Sequence, residues 1–279
     1  MKPDRVINIH GHLRHGDDLA ARVRIWREWN VEKFCCQCLP GHRAGNHYVR
    51  NEDFLAVRAQ YKDLLVGFAA ANLSTDRIDA AQDIRRYADQ GFTGLKFIDP
   101  RYPYNHEAYY PLYEAAQELR MPILFHTGYL GHEPEIDKPR GTDGENMSPY
   151  KLDKIARAFP NLAIVGAHLG HPQEPVALYL TEFYPNLFFD VTGGGGRKAH
   201  VRRMLSALLP NPALKTNMAD PEENRALRWF EQLVFGTDNP EPSVWIPASE
   251  HILDQLEAPE ALRRKFYYET AAGILGLKV

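Results

Sequence analysis

The first residues whose types and spacing could do chemistry form a His-x-His pair near the N-terminus. An apolar segment, Val6-Ile7-Asn8-Ile9, runs directly into His10-Gly11-His12. Because alternate side chains of a β-strand point to the same face, His10 and His12 should project together, about 7 Å apart along the strand. Two imidazoles placed in this way can share one metal ion, provided that other segments supply further ligands.

Three later apolar segments also end in side chains that can bind a metal. His126, His168 and Asp238 each stand at the C-terminal end of such a segment. Three imidazoles and one carboxylate suit Zn²⁺ with an open position for water, and such an ion lowers the pKa of bound water to about 7. A fourth, unligated imidazole could act as a general base or polarise the substrate. One histidine of this kind could be an ordinary core residue, but five polar residues at strand ends indicate a catalytic centre.

The segments that must position these residues alternate between strand and helix along the whole chain. The predicted strands are Val6–His12, Lys33–Cys38, Leu64–Ala71, Gly94–Asp99, Pro122–Gly128, Ala163–Gly170, Leu187–Thr192 and Leu233–Asp238. The predicted helices are Asp17–Trp29, Asn51–Lys62, Asp76–Gln90, His106–Arg120, Ser148–Phe159, Glu174–Phe183, Arg197–Leu209 or Pro221–Gln232, and Pro259–Leu275. Eight strand–helix units favour parallel strands with right-handed crossovers, closed into a single-domain α/β (β/α)8 TIM barrel over residues 1–279. The competing fold, a doubly wound open sheet, usually has fewer strands.

The composition excludes several classes of function. The chain has 279 residues and a net charge of −3, and its basic residues are scattered among acidic ones, so nucleic acid is not an expected partner. It has no apolar run of the about 20 residues that a membrane helix needs, and no secretory signal is expected. The cysteines, Cys35, Cys36 and Cys38, are too close together for a disulfide framework, which predicts a cytoplasmic protein. They lack the second half of a zinc site and are interpreted as small strand residues.

At these strand ends the chain resembles the amidohydrolase superfamily, in its amidohydrolase-2 branch of metal-dependent hydrolases and decarboxylases. The resemblance rests on Ile9-His10-Gly11-His12, Gly94-Leu95-Lys96-Phe97, Pro122–Gly128, Gly166-Ala167-His168-Leu169-Gly170, Phe235-Gly236-Thr237-Asp238 and the terminal Glu269–Leu277. It implies that His10, His12, His126 and Asp238 hold one ion, either Zn²⁺ or another divalent transition metal. It also implies that His168 activates water or the substrate and that Asp238 can shuttle the proton. It assigns no role to Asp190, because the end of the seventh strand varies in the family.

Other polar residues have competing interpretations. Lys96 is interpreted as a buried or substrate-binding residue; a carboxylated lysine bridging two ions and a Schiff-base lysine are the alternatives. His171, three residues after His168, could contact the substrate. Gly193–Gly196 and the following Arg197 offer backbone N–H groups and a cation that could hold a carboxylate or phosphate, or they form a simple turn. Further candidate anion-binding cations, which the sequence does not rank, are Arg14, Arg43, Arg101 and Arg140.

The predicted function is metal-dependent hydrolysis of an amide, ester or lactone-type bond in a small, carboxylated substrate. The alternative is non-oxidative decarboxylation of an unsaturated or aromatic acid on the same metal site. The chain lacks the long insertions associated with many decarboxylases, which favours hydrolysis. Two other classes stay open: a Schiff-base lyase that uses Lys96, and a metal-binding protein without catalysis. The resemblance also suggests a homodimer or a larger homo-oligomer.

Overall fold

Eight parallel strands form a single sheet in which each strand pairs with the next one along the chain. The computed structural model describes residues 2–45, 47–73, 78–131, 143–193, 197–208, 225–239 and 241–278. All eight predicted strands are present, mostly with narrower bounds than the apolar segments suggest. They are β1 (Val6–Gly11), β2 (Val31–Gln37), β3 (Leu65–Ala70), β4 (Gly94–Phe97), β5 (Ile123–Phe125), β6 (Ile164–Gly166), β7 (Leu187–Asp190) and β8 (Leu233–Val234).

Helices alternate with the strands as predicted, and both candidates for the seventh position are helical. The main helices are Leu19–Glu28, Asn51–Arg58, Ala81–Asp89, Tyr110–Glu118, Leu152–Ala158, Glu174–Thr181, Arg197–Leu208, Arg225–Phe230 and Pro242–Gln255. The last of these was not predicted, because Pro242 and Pro247 disfavour a helix in the sequence pattern. Among the described helices, none combines the length and apolar character that crossing a bilayer requires.

The sheet closes between β1 and the segment that follows β8. The Ile9 amide donates to Phe235 (3.0 Å), the Thr237 and Asp238 amides donate to His10 (2.9 and 2.7 Å), and the His12 amide donates to Asp238 (3.1 Å). These bonds continue the parallel ladder past the end of β8 and turn the sheet into a barrel. They also bring the His-x-His segment against the segment that carries Asp238.

The barrel has an inner core and an outer core. The inner core contains apolar residues from the strands and is capped at the N-terminal end of the barrel by the last helical segment, which we call the floor: Glu260–Arg264, a π-helical turn at Lys265–Glu269, and Thr270–Ile274. The outer core lies between the strands and the surrounding helices. Because all eight strands are parallel, their polar C-terminal ends meet at the end opposite the floor, where barrel enzymes carry their sites.

A β-bulge in β1 sets the direction of the His-x-His pair. Asn8 pairs with Phe34 and Gly11 with Cys36, so β1 has one residue more than β2 over this stretch. Ile9 belongs to the inner core, whereas a Cβ at Gly11 would lie 2.3 Å from the outer-core ring of Phe34. The extra residue therefore resets the alternation, so that His10 and His12 both face the barrel interior.

Candidate metal centre

Three of the predicted metal ligands meet at the closure between β1 and β8. The Nε2 atoms of His10 and His12 lie 3.8 and 3.3 Å from the same oxygen, Oδ1 of Asp238. These three side chains form one of two groups, among the described residues, whose ligand atoms all lie within 4.8 Å of one another. The second group contains His10, His168 and Asp190.

Hydrogen bonds at the other ring nitrogens define the tautomers of the two β1 histidines. Nδ1 of His10 lies 2.7 Å from Oδ2 of Asp190, and Nδ1 of His12 lies 2.8 Å from the carbonyl oxygen of Gln37. Both partners can only accept, so each Nδ1 carries the proton and donates it. In the neutral rings, both Nε2 atoms therefore have lone pairs that face Asp238.

This arrangement fits a cation. A carboxylate oxygen and two imidazole lone pairs are all acceptors, and their close approach is unfavourable unless a positive charge lies among them. Nε2 of His10 is fully buried and has no hydrogen-bond partner among the described residues. Two imidazoles whose outer nitrogens are held by a carboxylate and a backbone carbonyl are a common donor set for Zn²⁺ and similar transition metals.

Burial favours the neutral form of His10, His126 and His168, which is the form that binds a metal. Burial lowers the pKa of His10, and the nearby Lys96 charge lowers it further. Burial and the charge of His168 hold the pKa of His126 well below its usual range. For His168, burial lowers the pKa to about 4.

The two site carboxylates are ionised. Burial by itself would raise the pKa of Asp238, but contact with His12 and the electrostatic influence of His10 and His168 hold it well below its usual range. Burial would likewise raise the pKa of Asp190, but the interaction with His10 outweighs this effect and lowers it. Two negative charges and neutral histidines make the centre attractive to a divalent cation.

His168 is held in a strained position beside the metal-ligand group. It stands at φ 60°, in the left-handed region that costs a non-glycine residue energy and that is often found at functional sites. Its Nδ1 donates to the Thr192 hydroxyl (2.8 Å), since that hydroxyl gives its own proton to Oδ1 of Asp190 (2.6 Å). Nε2 of His168 therefore keeps the lone pair, which makes the residue suited to accept a proton.

His126 lies next to His168 rather than within either of the two ligand groups found among the described residues. Their ring centroids are 4.9 Å apart. Nε2 of His126 faces the carbonyl oxygen of Tyr129 at 3.2 Å, so Nδ1 is the nitrogen left to bind a ligand. The structure thus brings His126 next to His168, outside both groups of mutually close ligand atoms.

Lys96 is buried in the barrel, and its Nζ atom has no hydrogen-bond partner among the described residues. Burial lowers its pKa to about 8, although the charges of Asp238 and Asp190 oppose this shift. The Lys96 amine therefore lies within the electrostatic reach of both site carboxylates, and its role in substrate binding stays a prediction.

The other two predicted substrate-binding residues, His171 and Arg197, follow β6 and β7 along the chain. His171 contacts Glu174 (Nδ1 to Oε1, 2.7 Å), and its side chain is 37% exposed. Arg197 begins the helix Arg197–Leu208, but its side chain and residues 194–196 lie outside the described part of the structure. His171 belongs to neither of the two ligand groups found among the described residues.

Asp190 is the main site residue that sequence reasoning missed. Oδ2 accepts from Nδ1 of His10, while Oδ1 accepts from the backbone N–H groups of His168 and Thr192 (both 3.0 Å) and from the Thr192 hydroxyl. An acidic residue at the end of the apolar strand Leu187–Asp190 was the available signal. Its position at a strand end does not by itself show that the Asp190 carboxylate contacts both His10 and His168.

Asn8 is a second missed residue. It is fully buried, and its amide donates to the Thr237 hydroxyl (2.8 Å) while its carbonyl oxygen accepts from the Thr237 and His10 amides (3.2 and 3.3 Å). The side chain thereby ties the segment that carries His10 to the segment that carries Asp238.

Arg14 is a candidate cation that the structure places near the centre. Its Nη2 donates to Oδ1 of Asn239 (2.9 Å) and to the Tyr48 hydroxyl (3.3 Å). The Asn239 amide in turn donates to Oδ1 of Asp238 (3.2 Å), and the Tyr48 ring packs edge-on against His12. We call Arg14, Tyr48 and Asn239 the rim cluster.

A (β/α)8 barrel with histidines and an aspartate at its C-terminal end defines a class of metal-site enzymes, and comparison with protein families agrees. The family model described as Amidohydrolase (Amidohydro_2) matches residues 41–277. The chain belongs to the amidohydrolase-2 family and is an enzyme. Among curated proteins, none matches the sequence.

Solved structures share the fold at low sequence identity. A 2,6-dihydroxybenzoate decarboxylase from Rhizobium is 17% identical, with a TM-score of 0.60 over 99% of this chain and 99% of that one. A probable 2-pyrone-4,6-dicarboxylic acid hydrolase from Acinetobacter baumannii is 13% identical (TM-score 0.58; 98% and 100%). A 5-carboxyvanillate decarboxylase from Sphingomonas paucimobilis is 16% identical (TM-score 0.57; 94% and 84%).

Proposed function

We propose that this protein is a metal-dependent hydrolase that acts on an amide, ester or lactone-type bond of a small, carboxylated substrate. The observation that carries the proposal is the joint approach of His10 and His12, through their Nε2 lone pairs, to one oxygen of Asp238. In this assignment His10, His12 and Asp238 hold a single Zn²⁺ or similar ion, and His126 completes the set through Nδ1. His168 is the proton-transfer residue.

The ion, when bound, would polarise a substrate carbonyl and make a water molecule more acidic. The protein's own groups supply the proton transfers. Nε2 of His168 accepts the proton of the attacking water, and the hydrogen bond from Nδ1 to Thr192 orients the ring for this step. His168, now protonated, then delivers this proton to the leaving group, either directly or by way of the Asp238 carboxylate.

The protonation state of His168 favours hydrolysis over decarboxylation. With a pKa of about 4, its ring is neutral at physiological pH and can act as a base towards water. Protonation of a carbon atom during decarboxylation would instead require an acid in the resting site. Chain length does not separate the two reactions, since the Rhizobium decarboxylase aligns over 99% of both chains.

The preference for a carboxylated substrate rests on the rim cluster. Arg14 is linked through Asn239 to Asp238, so its guanidinium lies at the mouth of the centre. A guanidinium pairs with a carboxylate through two parallel hydrogen bonds, which would fix the substrate's orientation. Arg197, at the start of its helix, is a second candidate for the same role.

The direct test of the metal assignment is elemental analysis of protein purified without a histidine tag. We expect about one equivalent of a divalent transition metal, and a loss of this metal in the Asp238→Asn variant. The matched control is Asp254→Asn, since Asp254 lies on an outer helix and its side chain is 60% exposed. Less than about a tenth of an equivalent in the wild type, with no activity gained on reconstitution, would refute the proposal.

A product assay separates the two reactions. Lactones, esters and amides of small dicarboxylic acids should release new carboxylate, whereas hydroxylated aromatic and unsaturated acids should release no CO₂. Borohydride trapping of a substrate adduct on Lys96 would identify a Schiff-base lyase instead. Release of CO₂ as the main product would replace hydrolysis by decarboxylation on the same site.

Location and assembly remain proposals. We propose a cytoplasmic enzyme, because Cys35, Cys36 and Cys38 are all free and buried, as expected in a reducing compartment. We also propose a small molecule as the only substrate class and a homodimer or larger homo-oligomer as the assembly. Light scattering of the purified protein tests the last point.

A further inference from the structure

A single carboxylate connects the metal-ligand group to the proton-transfer residue. Asp190 is fully buried, and its two oxygens have different partners. Oδ2 accepts from Nδ1 of His10, whereas Oδ1 accepts from the backbone N–H of His168 and from the backbone N–H and hydroxyl of Thr192. The Thr192 hydroxyl in turn accepts from Nδ1 of His168.

We infer that Asp190 is a positioning residue that fixes the tautomers of both His10 and His168. It acts directly on His10 and through Thr192 on His168. The inference rests on the proposed function, since it assigns Nε2 of His10 to the ion and Nε2 of His168 to proton transfer. Asp190 touches neither the ion nor the substrate in this assignment.

The geometry favours this role over that of a metal ligand. The group His10, His168 and Asp190 brings its ligand atoms within 4.8 Å of one another. These residues are already joined by short hydrogen bonds in which each donor has an acceptor. Asp190 accepts from Nδ1 of His10 at 2.7 Å and from the Thr192 hydroxyl at 2.6 Å, and that hydroxyl accepts from Nδ1 of His168 at 2.8 Å. An ion placed between Oδ2 of Asp190 and the His10 nitrogen that faces it would have to replace the proton on Nδ1 of His10. Nε2 of His10 has no hydrogen-bond partner among the described residues, so an ion can bind there without displacing a proton.

The contacts of Asp190 and Thr192 determine which ring nitrogen carries the proton in His10 and in His168. A carboxylate at position 190 can only accept, so Nδ1 of His10 must carry the proton and Nε2 must be bare. Thr192 has one hydroxyl proton and gives it to Asp190, so its remaining lone pair accepts Nδ1–H of His168. Outer carboxylates that hold ligating histidines in this way raise ligand basicity, and their loss costs about 10- to 100-fold in metal affinity or activity.

Replacement of Asp190 by Asn should change the tautomer of His10 and leave that of His168 unchanged. Oδ1 has three donors, all of which an amide oxygen can still satisfy, so the amide nitrogen should take the place of Oδ2 and face His10. That nitrogen donates, which requires a lone pair on Nδ1 of His10 and moves the proton to Nε2. In Asp190→Asn, His10 should therefore lose its free Nε2, while His168 should keep its Nδ1–H form through Thr192.

Replacement of Thr192 by Val acts mainly on His168, because the Thr192 hydroxyl lies 2.8 Å from Nδ1 of His168 but 3.5 Å from Nδ1 of His10. Valine keeps the shape of threonine but offers no hydroxyl to Nδ1 of His168, whereas the contact between His10 and Asp190 is left in place. His168 should then populate both tautomers, and His10 should remain in the Nδ1–H form. Thr192→Ser, which restores a hydroxyl, should return His168 to the Nδ1–H form.

The test reads tautomers and metal affinity separately. Long-range ¹H–¹⁵N spectra of ¹⁵N-histidine-labelled, metal-free protein report which ring nitrogen carries the proton, and a chromogenic chelator that competes for Zn²⁺ reports affinity. We expect Asp190→Asn to shift His10 to the Nε2–H form and to weaken Zn²⁺ binding by about 10- to 100-fold. We expect Thr192→Val to change only the His168 signals, to keep Zn²⁺ affinity within about threefold, and to lower kcat rather than raise KM.

The matched control is Asp83→Asn. Asp83 is also a buried aspartate, but it accepts from the amide of Ala80 at a helix start, remote from the centre. It should leave the histidine tautomers and Zn²⁺ affinity unchanged. An Asp190→Asn protein in which His10 keeps its Nδ1 proton would overturn the inference, as would unchanged Zn²⁺ affinity. A wild-type protein that binds no Zn²⁺ but shows the expected tautomers would instead refute the proposed function.

Discussion

A Cβ atom added to Gly193 would lie 2.6 Å from Nδ1 of His168. That nitrogen donates to Thr192, the residue just before Gly193. Gly193 also has φ +74°, a conformation in which a side chain is strained. The loop after β7 can therefore approach the His168 ring this closely only with glycine at position 193.

The first prediction concerns this contact. In Gly193→Ala the new methyl group should push the His168 ring away from Thr192, so kcat should fall by at least about 10-fold while the metal content stays near one equivalent. Metal analysis and steady-state kinetics on the substrate found by the product assay check this. Gly41→Ala is the control, since its Cβ would meet open space. Wild-type turnover in Gly193→Ala would contradict the assignment of His168.

The second prediction tests the role of His168 directly. His168→Asn should keep the metal, because His168 is not a proposed ligand, and should lower kcat by about 100- to 10,000-fold, as expected for loss of a general base. The control is His251→Asn, an exposed histidine on the helix Pro242–Gln255. A near-wild-type rate in His168→Asn would show that another group transfers the proton.

Arg203 connects the loops after β6 and β7, and its removal should destabilise the protein. Its guanidinium donates to the carbonyl oxygens of His168, Thr192 and Gly193 (3.2 to 3.3 Å) and to Glu174 (2.8 Å), with the side chain 12% exposed. Arg203→Met leaves Glu174 without this cation and should lower the free energy of unfolding by about 3–5 kcal/mol. Urea unfolding measures the change.

Arg157→Met is the matched control for Arg203→Met. Arg157 pairs with Asp153, but its side chain is 71% exposed, so its loss should cost no more than about 1 kcal/mol. Arg203→Lys, which keeps the charge but cannot reach all four acceptors, should lie between the two variants. An Arg203→Met protein as stable as Arg157→Met would show that Arg203 does not hold these loops.

The fourth prediction concerns the pH dependence of the metal-free protein. Burial lowers the pKa of His168 to about 4, and burial with the Arg203 charge lowers that of His200 to about 4, from 6.5 in the unfolded chain. His10 and His126 are lowered as well. Between pH 6.5 and 4 these histidines bind protons in the unfolded chain but not in the folded protein. The free energy of unfolding should therefore decrease as the pH falls through this range.

Urea unfolding at several pH values measures this slope. Each such histidine contributes up to about 1.4 kcal/mol per pH unit within the window. The site carboxylates have lowered pKa values, so their contribution is lost only below about pH 4 and does not overlap. His168→Asn should reduce the slope by about one proton. A flat profile from pH 6.5 to 4.5 would mean that the buried histidines take up protons in the folded protein.

Much of the fold could be predicted because it depends on short-range patterns. Apolar segments of strand length followed by amphipathic segments indicate a barrel, and the position of His10, His126, His168 and Asp238 at strand ends places them at one rim. Those inferences need only the periodicity of strands and the topology of parallel sheets. The helix Pro242–Gln255 was missed because Pro247 lies inside it, where proline normally disfavours a helix.

Other features depend on contacts between distant segments. The bulge in β1 exists because of pairing with β2, and strict alternation from Ile7 and Ile9 would have turned His10 outwards. Asp190 reaches His10 across 180 residues of sequence, and no local pattern reports such a contact. The orientation of the His126 ring likewise depends on the loop after β5, which places the Tyr129 carbonyl oxygen next to Nε2.

The floor of the barrel has a consequence for turnover. Tyr268, Ala271, Ala272, Ile274 and Leu275 pack under the strands and fill the N-terminal end with apolar side chains. In the described part of the chain, the centre therefore opens towards the rim, and we expect substrate and products to pass through this one opening. Under the proposed hydrolysis, a departing acid product would occupy the path of the next substrate and compete with it for the same cations.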